Sequence, residues 1–405
     1  MSEKEKKPQI RFKGFNDEWE ERKLGEITTS YSGGTPTVGI LEYYNGNIPF
    51  IRSGEINKKR TELFITELGY ANSSAAMVDK GDILYALYGA TSGEVCRSQL
   101  KGAINQAILA IKPNEQYDAN FLTQWLMKQK KNILSVYLQG GQGNLSGTIV
   151  KSLQVNITNL FEQQKIGNYF SNLSNLINIY QNEYDKLVNI KKSMLEKMFP
   201  KNGKTVPEIR FKGFTESWKN KKVSEITKFH KQGYYTTEFY DDNKKYYLLR
   251  GSDLVENKLV LKNTPKINAT EKDYNAFKVE IGDFLIVRSG TIGTYGIVYT
   301  NIPAIFGSYL INFRFDKSQV ENEFFGYFYQ SNLFKSQMKQ IIQQSANTNI
   351  NAENIKSINI KLPNIEEQEK IGEYFYKLDR IITLQQKKLE KLKNFKKAFL
   401  EKMFV

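Results

Sequence analysis

The chain has 405 residues, with 58 Lys and Arg against 43 Asp and Glu, which gives a formal net charge of +15. This excess favours a polyanionic partner, most often nucleic acid, and the alternative is a solvated basic surface without a ligand. The 24 Tyr and 25 Phe exclude a largely disordered chain, and the single cysteine excludes an internal disulfide framework and is typical of a reducing compartment.

Residues 1–8 lack the apolar core of a signal peptide. No later stretch reaches the roughly 18 apolar residues of a membrane span. We therefore expect a soluble protein of the cytoplasm.

A motif near the start of the chain recurs in its second half. Pro8–Phe15, followed four residues later by Trp19, returns as Pro207–Phe214, followed at the same spacing by Trp218. An internal repeat of this kind indicates that one scaffold occurs twice.

The two halves match again near their ends but differ in their middles. Glu162–Phe170 has the sequence EQQKIGNYF and Glu367–Phe375 has EQEKIGEYF, whereas residues 30–80 and 230–280 hardly resemble each other. We expect such unlike middles if the two copies recognise different ligands.

Each half is predicted to begin with a mixed α/β domain. Runs of apolar, β-branched and aromatic residues predict strands, and one long segment without helix breakers predicts a helix before the last strand. The predicted strands are Asp82–Tyr88, Ala107–Ile111 and Leu153–Ile157 in the first half and Asp283–Arg288, Tyr309–Phe313 and Ile358–Leu362 in the second; the helices are residues 119–137 and 322–342, followed by the loops Gln139–Asn144 and Gln344–Asn349.

Each half is predicted to end in a long helix with the apolar spacing of a coiled-coil seam. Apolar residues recur over about 35 residues in steps of mostly three and four. Such a helix would be roughly 50 Å long, and its narrow apolar stripe could be buried only against a partner helix. The alternative is an ordinary surface helix. The expected seam is Ile166, Phe170, Leu173, Ile177, Tyr180, Tyr184, Leu187, Ile190, Met194 and Met198 in the first half and Ile371, Phe375, Leu378, Ile382, Leu389, Leu392, Phe395, Phe399 and Met403 in the second.

The connections predict how the two helices pair. The first helix ends at Phe199, close to Pro207, and by repeat equivalence the second ends at Phe404, near Pro8. Both conditions hold only if the helices run antiparallel. We therefore predict an α+β fold in which two mixed α/β domains are joined by two long antiparallel coiled-coil helices, as a quasi-circular repeat with pseudo-two-fold symmetry. The predicted boundaries are 1–158 and 205–363 for the domains and 159–204 and 364–405 for the helices.

The sequence contains no recognisable catalytic constellation. One histidine, His230, and one cysteine, Cys96, are too few soft ligands for a zinc site, and no GxxxxGK[ST] phosphate loop occurs. Asn47–Phe50 matches the Asn-Pro-Pro-Phe motif of adenine-N6 methyltransferases only in part, and Asp82 and Asp283 lack the Glu-x-Lys of a metal-dependent nuclease. We therefore predict no catalytic residue and no metal site in this chain.

Both halves carry loops suited to contact duplex DNA. Lys and Arg would bind phosphates, while Arg, Asn, Gln, Ser, Thr and Tyr on loops would contact the bases. Any one of these residues could instead stabilise a turn or simply face solvent. Because the loops recur at comparable places in both halves, a role in DNA contact is better supported for the whole set than for any single residue. The candidates are Arg52, Ser53, Lys58, Lys59, Arg60, Tyr88, Thr91, Ser92, Gln142 and Asn144 in the first half and Lys231, Tyr234, Tyr235, Thr236, Arg250, Ser252, Arg288, Ser289, Thr291, Asn347, Thr348 and Asn349 in the second.

Together these features resemble the specificity subunit of type I restriction–modification systems. The resemblance rests on the Phe-Lys-Gly-Phe…Trp opening of each half, on the GGTP sequence of Gly33–Pro36, and on a Leu-Pro-x-x-x-Glu-Gln-x-Lys-Ile-Gly signature at Leu362–Gly372. Thr158 replaces the proline of that signature in the first half. The second half lacks GGTP, which leaves the role of that loop there open.

The resemblance implies two target-recognition domains, each recognising one half of an asymmetric, interrupted duplex DNA site. It implies that the helices set the gap and dock two modification subunits, and that the assembled complex also contains restriction and translocase subunits. This chain would hold no cofactor, since S-adenosylmethionine, ATP and Mg²⁺ are expected in the partner subunits. Glu162, Gln163, Glu367 and Gln368 stand at helix starts, where they are expected to cap the helix or contact a partner subunit.

Two other functions stay open on the residues alone. One is a stand-alone DNA-modifying enzyme, against which the missing methyl-donor and nuclease motifs argue. The other is a coiled-coil scaffold that never binds DNA.

Overall fold

The computed structural model describes residues 6–137, 144–201, 203–288, 294–344 and 350–405. The chain divides into two compact units. Unit 1 consists of residues 1–181 and 387–405, and unit 2 of residues 182–386. Each unit therefore combines the globular part of one half with segments of both long helices.

Unit 1 alternates short strands and helices before the first long helix. Its strands are β1 (Glu20–Lys23), β2 (Thr28–Ser32), β3 (Tyr44–Ile51), β4 (Phe64–Ile65), β5 (Ala76–Val78), β6 (Ile83–Ala86), β7 (Val95–Arg97), β8 (Gly102–Ile104), β9 (Ile108–Pro113) and β10 (Gln154–Ile157). Its helices are α1 (Leu24–Ile27), α2 (Glu67–Ala71), α3 (Ala119–Tyr137) and α4 (Gly147–Ser152), followed by the long helix α5 (Leu160–Lys197).

The strands of unit 1 form two four-stranded sheets and one two-stranded sheet. The first four-stranded sheet has the order β2-β9-β6-β7 and is antiparallel throughout. The two-stranded sheet consists of β1 and β10, which are also antiparallel. The second four-stranded sheet has the order β4-β3-β8-β5, with β3 and β8 parallel. Successive residues of β6 serve different cores, as the two-residue period of a strand requires: Ile83 and Tyr85 pack with Trp19 and Phe121, while Leu84 packs on the other side.

Unit 2 repeats this plan with different strand lengths. Its strands are β11 (Lys219–Lys222), β12 (Thr227–Gln232), β13 (Tyr246–Leu249), β14 (Leu254–Val255), β15 (Lys258–Leu259), β16 (Lys266–Ile267), β17 (Phe284–Val287), β18 (Tyr295–Ile297), β19 (Ala304–Phe306), β20 (Leu310–Phe315) and β21 (Asn359–Leu362). Its helices are α6 (Val223–Ile226), α7 (Glu271–Phe277), α8 (Asn322–Gln330), α9 (Asn332–Gln344) and α10 (Ala352–Lys356), followed by the long helix α11 (Ile365–Met403). The sheets have the orders β12-β20-β17-β18-β15-β14, β16-β13-β19 and β11-β21.

The single helix predicted over residues 322–342 is wrong, because the structure has two helices there. The backbone of Ser331 is extended, with φ −66° and ψ 156°. Its hydroxyl accepts a hydrogen bond from the Phe334 amide at 3.2 Å, which caps the start of α9. The helix predicted over residues 119–137 is confirmed as α3, with the same bounds.

Within unit 1, the last part of α11 packs against the first part of α5 in the opposite direction. The Phe404 ring lies 5.9 Å from that of Phe170 and 5.0 Å from that of Phe121. Further along, Lys396 Nζ donates to Ser174 Oγ at 2.8 Å. Later residues of α5 thus contact earlier residues of α11, so these parts of the two helices run antiparallel.

Unit 2 shows the same arrangement with the roles of the helices exchanged. The Phe199 ring stacks on Phe375 at 6.5 Å, and Lys191 forms an ion pair with Asp379 at 2.6 Å. Lys191 and Asp379 occupy the positions that Lys396 and Ser174 hold in unit 1.

The repeated opening motif of each unit lies beside the end of a long helix. In unit 1 the Ile10 amide donates to the Lys402 carbonyl at 2.9 Å, and in unit 2 the Ile209 amide donates to the Lys197 carbonyl at the same distance. The opening motif of unit 1 therefore contacts the end of α11, and that of unit 2 contacts the end of α5.

The expected seam residues differ in burial along the helices. Most of those near the ends of the helices are buried, and most of those further along are half-buried. The buried ones are Ile166, Phe170, Met198, Ile371, Phe375, Leu378, Leu389 and Met403, and the half-buried ones include Leu173, Ile177, Leu187, Ile382 and Leu392.

Phe395 does not occupy the seam and is 46% exposed. Lys396 takes the position that faces α5, where it contacts Ser174. Strictly alternating steps of three and four from Leu389 lead through Leu392 to residue 396, so the lysine keeps the seam in phase.

Candidate nucleic-acid interface

In unit 1, loops from distant parts of the sequence meet at one end of the first sheet. The Leu87 amide, just beyond β6, donates to the Ala107 carbonyl at 2.8 Å, and the Leu145 amide donates to the Leu87 carbonyl at 2.9 Å. Tyr88 forms an isolated β-bridge with Asn144. Two of the predicted DNA-contact loops, those of Tyr88 and Asn144, are therefore neighbours.

A further segment joins them from the end of β2. Gly33 approaches the neighbouring backbone so closely that a Cβ there would lie 1.8 Å from the Ile104 carbonyl oxygen, so only glycine fits. Two residues later, Thr35 Oγ1 donates to Gln106 Oε1 at 2.6 Å, and both side chains are exposed. We call residues 33–36, 87–92, 105–107 and 144–145 the unit 1 loop cluster.

Unit 2 builds the same junction after β17. The Arg288 amide donates to the Tyr309 carbonyl at 2.9 Å, and the Ile350 amide donates to the Arg288 carbonyl at 3.1 Å. These contacts match those of Leu87 with Ala107 and Leu145 in unit 1, so Arg288 stands where unit 1 has a buried leucine.

The segment after β12 completes the junction in unit 2. A Cβ on Gly233 would lie 2.0 Å from the Gly307 carbonyl oxygen, and the Tyr234 amide donates to the Phe306 carbonyl at 2.8 Å. Gly233 is therefore the structural equivalent of Gly33, although the second half of the chain lacks the GGTP sequence. We call residues 233–236, 288, 307–309 and 350 the unit 2 loop cluster.

Three exposed residues of these clusters were not among the predicted contacts. Gln106 and Thr35 in unit 1 are exposed, and Tyr309 in unit 2 is 69% exposed. Tyr309 was assigned to a strand, but β20 begins one residue later. The available signal was the short polar interruption, Asn105-Gln106 and Gly307-Ser308, between two apolar runs in each half.

The predicted loop of Tyr88 is a compact turn. The Ser92 amide donates to the Gly89 carbonyl at 3.1 Å, and its hydroxyl donates to the Leu87 carbonyl at 3.0 Å. Thr91 and Ser92 are half-buried, whereas Asn144 beside them is exposed. Burial raises the pKa of Tyr88, so its hydroxyl stays protonated and can donate a hydrogen bond at neutral pH.

Arg52 borders the unit 1 loop cluster and is engaged in ion pairs. β3 and β8 run parallel with Ile51 opposite Ile104, so Arg52 follows at the same end of its sheet. Arg52 Nε lies 2.9 Å from Glu55 Oε2, and its Nη2 lies 2.9 Å from Glu62. Burial would raise the pKa of Glu55, but hydrogen bonds from Arg52, the Glu62 amide and a threonine hydroxyl lower it to about 2.

Arg250 holds the equivalent turn in unit 2. It pairs with Asp253, which is buried and also accepts a hydrogen bond from Thr264 at 3.0 Å. Both arginines thus brace a turn at the border of their cluster, with Ser53 half-buried and Ser252 exposed beside them.

The remaining cationic candidates differ in their surroundings. Lys58, Lys59 and Arg60 are exposed, and over the part of the chain that the structure describes they form no ion pair within 4.0 Å. Lys231 instead donates to the Ala276 carbonyl at 3.1 Å and lies 3.8 Å from the Phe277 ring centre. The first group is free to bind phosphate, while Lys231 also supports its own unit.

On the loop after β12, Tyr234 is half-buried and Tyr235 is 76% exposed. Thr236 Oγ1 accepts a hydrogen bond from the Glu238 amide at 3.0 Å, which orders the turn. Six other candidates lie outside the described residues: Gln142, Ser289, Thr291, Asn347, Thr348 and Asn349.

The Glu-Gln pair at the start of each long helix is buried in contacts within the chain. Glu162 is 0% exposed and binds Arg11 of the opening motif with both carboxylate oxygens, at 2.7 and 2.8 Å. Glu367 binds Arg210 in the same way, at 2.7 Å for each oxygen. The hydrogen bonds to these carboxylates raise the pKa of both arginines.

The glutamine of each pair fixes the segment before the preceding helix. Gln163 accepts a hydrogen bond from the Asp118 amide at 2.9 Å and donates to the Thr158 carbonyl at 2.7 Å. Gln368 does the same with the Glu321 amide and the Pro363 carbonyl. These pairs therefore join the long helix to its globular part.

The caps of the long helices are asparagines that the sequence analysis did not single out. Asn159 Oδ1 accepts from the Glu162 amide at 3.0 Å, and Asn364 Oδ1 accepts from the Glu367 amide at 2.9 Å. Because the asparagines cap the helices, the glutamate side chains do not serve as caps and instead bind the arginines of the opening motifs.

Two further properties concern the described residues as a whole. No group of three or more His, Cys, Asp or Glu side chains among them is placed to hold a metal ion. Nor does any helix described there combine the length and apolarity needed to cross a membrane.

Known proteins share this organisation. Residues 16–189 and 215–394 match the family model of the type I restriction modification DNA specificity domain. The type I restriction enzyme MjaVIII specificity subunit of Methanocaldococcus jannaschii is 21% identical over 398 residues, which cover 95% of this chain and 91% of that protein. The EcoR124I/EcoR124II specificity subunit of Escherichia coli is 25% identical over 178 residues, 42% of this chain and 44% of that protein.

A solved structure gives an independent match of fold. The type I restriction–modification system S subunit from M. genitalium aligns with a TM-score of 0.62 at 18% identity, covering 98% of this chain and 99% of that one. Because the family model matches one long segment in each half, the chain belongs to the family of type I restriction–modification DNA specificity proteins.

Proposed function

We propose that this chain is the DNA sequence-specificity subunit of a type I restriction–modification complex, and that each loop cluster recognises one half of a bipartite, asymmetric duplex site. The observation that carries the proposal is a repeated scaffold with unlike exposed side chains. At this junction unit 1 exposes Thr35 and Gln106, and unit 2 exposes Tyr235 and Tyr309. Different side chains on the same backbone junction would select different bases.

Charge supports duplex DNA as the ligand. The net charge is +15, and Lys58, Lys59 and Arg60 are exposed on the turn that borders the unit 1 loop cluster. Each lysine or arginine that neutralises a phosphate releases counterions, so binding weakens as salt rises. We expect a steep salt dependence of DNA binding by the complete complex.

The long helices suit a spacer and a docking surface. They contain 38 and 39 residues, which corresponds to about 57 Å at 1.5 Å per residue. In the proposed complex their length sets the gap between the half-sites. The repeat offers two equivalent surfaces, which suits two copies of one modification subunit.

Under this proposal the chain acts by binding alone. The modification subunits would use S-adenosylmethionine to methylate adenine N6, and the restriction and translocase subunits would use ATP and Mg²⁺. The buried Glu162–Arg11 and Glu367–Arg210 pairs would keep the two recognition surfaces fixed on the helices that bind these partners.

The test is a map of N6-methyladenine in cells that carry this chain with its partner subunits. Exchanging residues 10–158 for the equivalent segment of another family member should change one half of the methylated sequence and keep the other half and the gap. The reciprocal exchange of residues 205–363 should change only the other half. A change of both halves by either exchange would contradict the proposal.

A further inference from the structure

The two loop clusters differ in chemistry at structurally equivalent positions. Gly33 and Gly233 correspond, so Thr35 of unit 1 corresponds to Tyr235 of unit 2. By their hydrogen bonds across the junction, Ala107 corresponds to Tyr309. Unit 2 thus carries aromatic rings where unit 1 carries a hydroxyl and a methyl group.

Both tyrosine rings lie in water. Tyr235 is 76% and Tyr309 is 69% exposed, although the backbones that carry them are fixed. The amide of Tyr234 donates to Phe306, and the carbonyl of Tyr309 accepts from Arg288. The two exposed rings stand on neighbouring, ordered segments, and exposed apolar surface that is grouped in this way is typical of a ligand-binding site.

An arginine, Arg288, lies between these segments. Arg288 replaces Leu87 at the junction, and its Nη1 reaches the Ser308 carbonyl at 3.5 Å. Its Nε is buried and has no hydrogen-bond partner within the described ranges of the chain. A guanidinium is a planar donor that both stacks on bases and hydrogen-bonds their edges.

We propose that the unit 2 loop cluster takes up an unstacked nucleobase of the duplex, on a platform formed by Tyr235 and Tyr309 with Arg288 as hydrogen-bond donor. This rests on the proposed function. Aromatic rings bind the faces of bases, which are covered in a stacked duplex, so the platform gains contact only where a base step opens. Thr35 and Gln106 instead suit base edges in an intact groove. Apart from the adenines that the modification subunits extrude for methylation, unit 2 would therefore unstack a base of its half-site, whereas unit 1 would leave its own half-site stacked.

The test uses the full chain in its complex with modification subunits, bound to a duplex that contains the mapped site. 2-Aminopurine is placed at successive positions in both half-sites, because its fluorescence rises when it leaves the stack. The target adenine of each half-site is left unlabelled, because the modification subunits extrude it for methylation. We expect a rise at one other step of the unit 2 half-site. The Tyr235→Ser and Tyr309→Ser variants should lose this rise and bind about 5- to 150-fold more weakly per ring.

Three comparisons separate the platform from a loss of folding. Tyr235→Phe keeps the ring and should keep the rise. Tyr299→Ser, which removes an exposed ring of unit 2 outside the loop cluster and the long helices, should behave as the native chain does. A mismatch at the opened step should tighten binding of the native chain, because the cost of unstacking is already met, and should not do so for the serine variants.

The inference is overturned if native DNA stays stacked in the unit 2 half-site outside its target adenine, or if the serine variants bind within twofold of the native chain. It is also overturned if they lose modification subunits while keeping the rise, since the tyrosines would then contact protein. If the native complex shows no preference for its mapped site, the proposed function itself fails.

Discussion

Replacing Arg11 by methionine should unfold unit 1 far more easily than the size of the change suggests. The carboxylate of Glu162 is completely buried and receives two hydrogen bonds from Arg11, with the Thr158 hydroxyl as a further donor. Removing the guanidinium leaves a buried charge whose main partner is gone. Breaking such a pair from one side costs about 3–5 kcal/mol in the free energy of unfolding.

The assay is urea unfolding followed by tryptophan fluorescence. In a Trp218→Phe background, the remaining tryptophans, Trp19 and Trp125, both report on unit 1. Arg22→Met is the matched control, because its ion pair with Glu20 is exposed and contributes at most about 1 kcal/mol.

The double variant Arg11→Met/Glu162→Met completes the measurement. Removing both partners eliminates the unpaired buried charge, so the double variant should be more stable than Arg11→Met alone. A loss below about 1 kcal/mol for Arg11→Met would refute the view that this pair joins the opening motif to the long helix.

Three further results follow from the structure. Gly33→Ala should reduce DNA binding or the stability of unit 1, since its Cβ would strike a carbonyl oxygen at 1.8 Å, whereas Gly54→Ala, with open space around it, should bind normally in a filter assay. The pKa of Glu55 is lowered from 4.5 to about 2 in the folded state, so its contribution is present above pH 4.5 and is lost as the pH falls toward 2; Glu55→Gln should flatten the acid limb of the stability curve. Phe404→Ala should lower the stability of unit 1 by about 3–5 kcal/mol and the exposed Phe395→Ala by less than about 1, as measured by urea unfolding.

The elements that the sequence predicted best are those with a strong local pattern. Helix α3 has the predicted bounds because its apolar residues recur at helical spacing without a breaker. The break at Ser331 was missed because a serine inside an apolar run is a weak signal, and its capping role depends on a backbone turn that the sequence does not display. Phe395 was placed in the seam by its apolar character alone, although the phase of the repeat favours residue 396.

The loop clusters could be predicted only in part. The glycine- and polar-rich loops around Tyr88 and Asn144 were identified from their composition, but their bridge depends on the order of strands in the sheet. Gln106 and Tyr309 were missed for the same reason, because they lie in short connections that become exposed only where several strands end together. The Arg11–Glu162 contact joins residues 151 positions apart, which no local pattern reveals.

The separate roles of the two loop clusters are tested most directly by mapping N6-methyladenine for two single variants, Gln106→Ala and Tyr309→Ala, each expressed with the partner subunits. We predict that the first relaxes the methylated sequence in one half of the site only, and that the second relaxes it in the other half only. If both variants affect the same half, or if neither changes the sequence, the two loop clusters are not separate recognition surfaces.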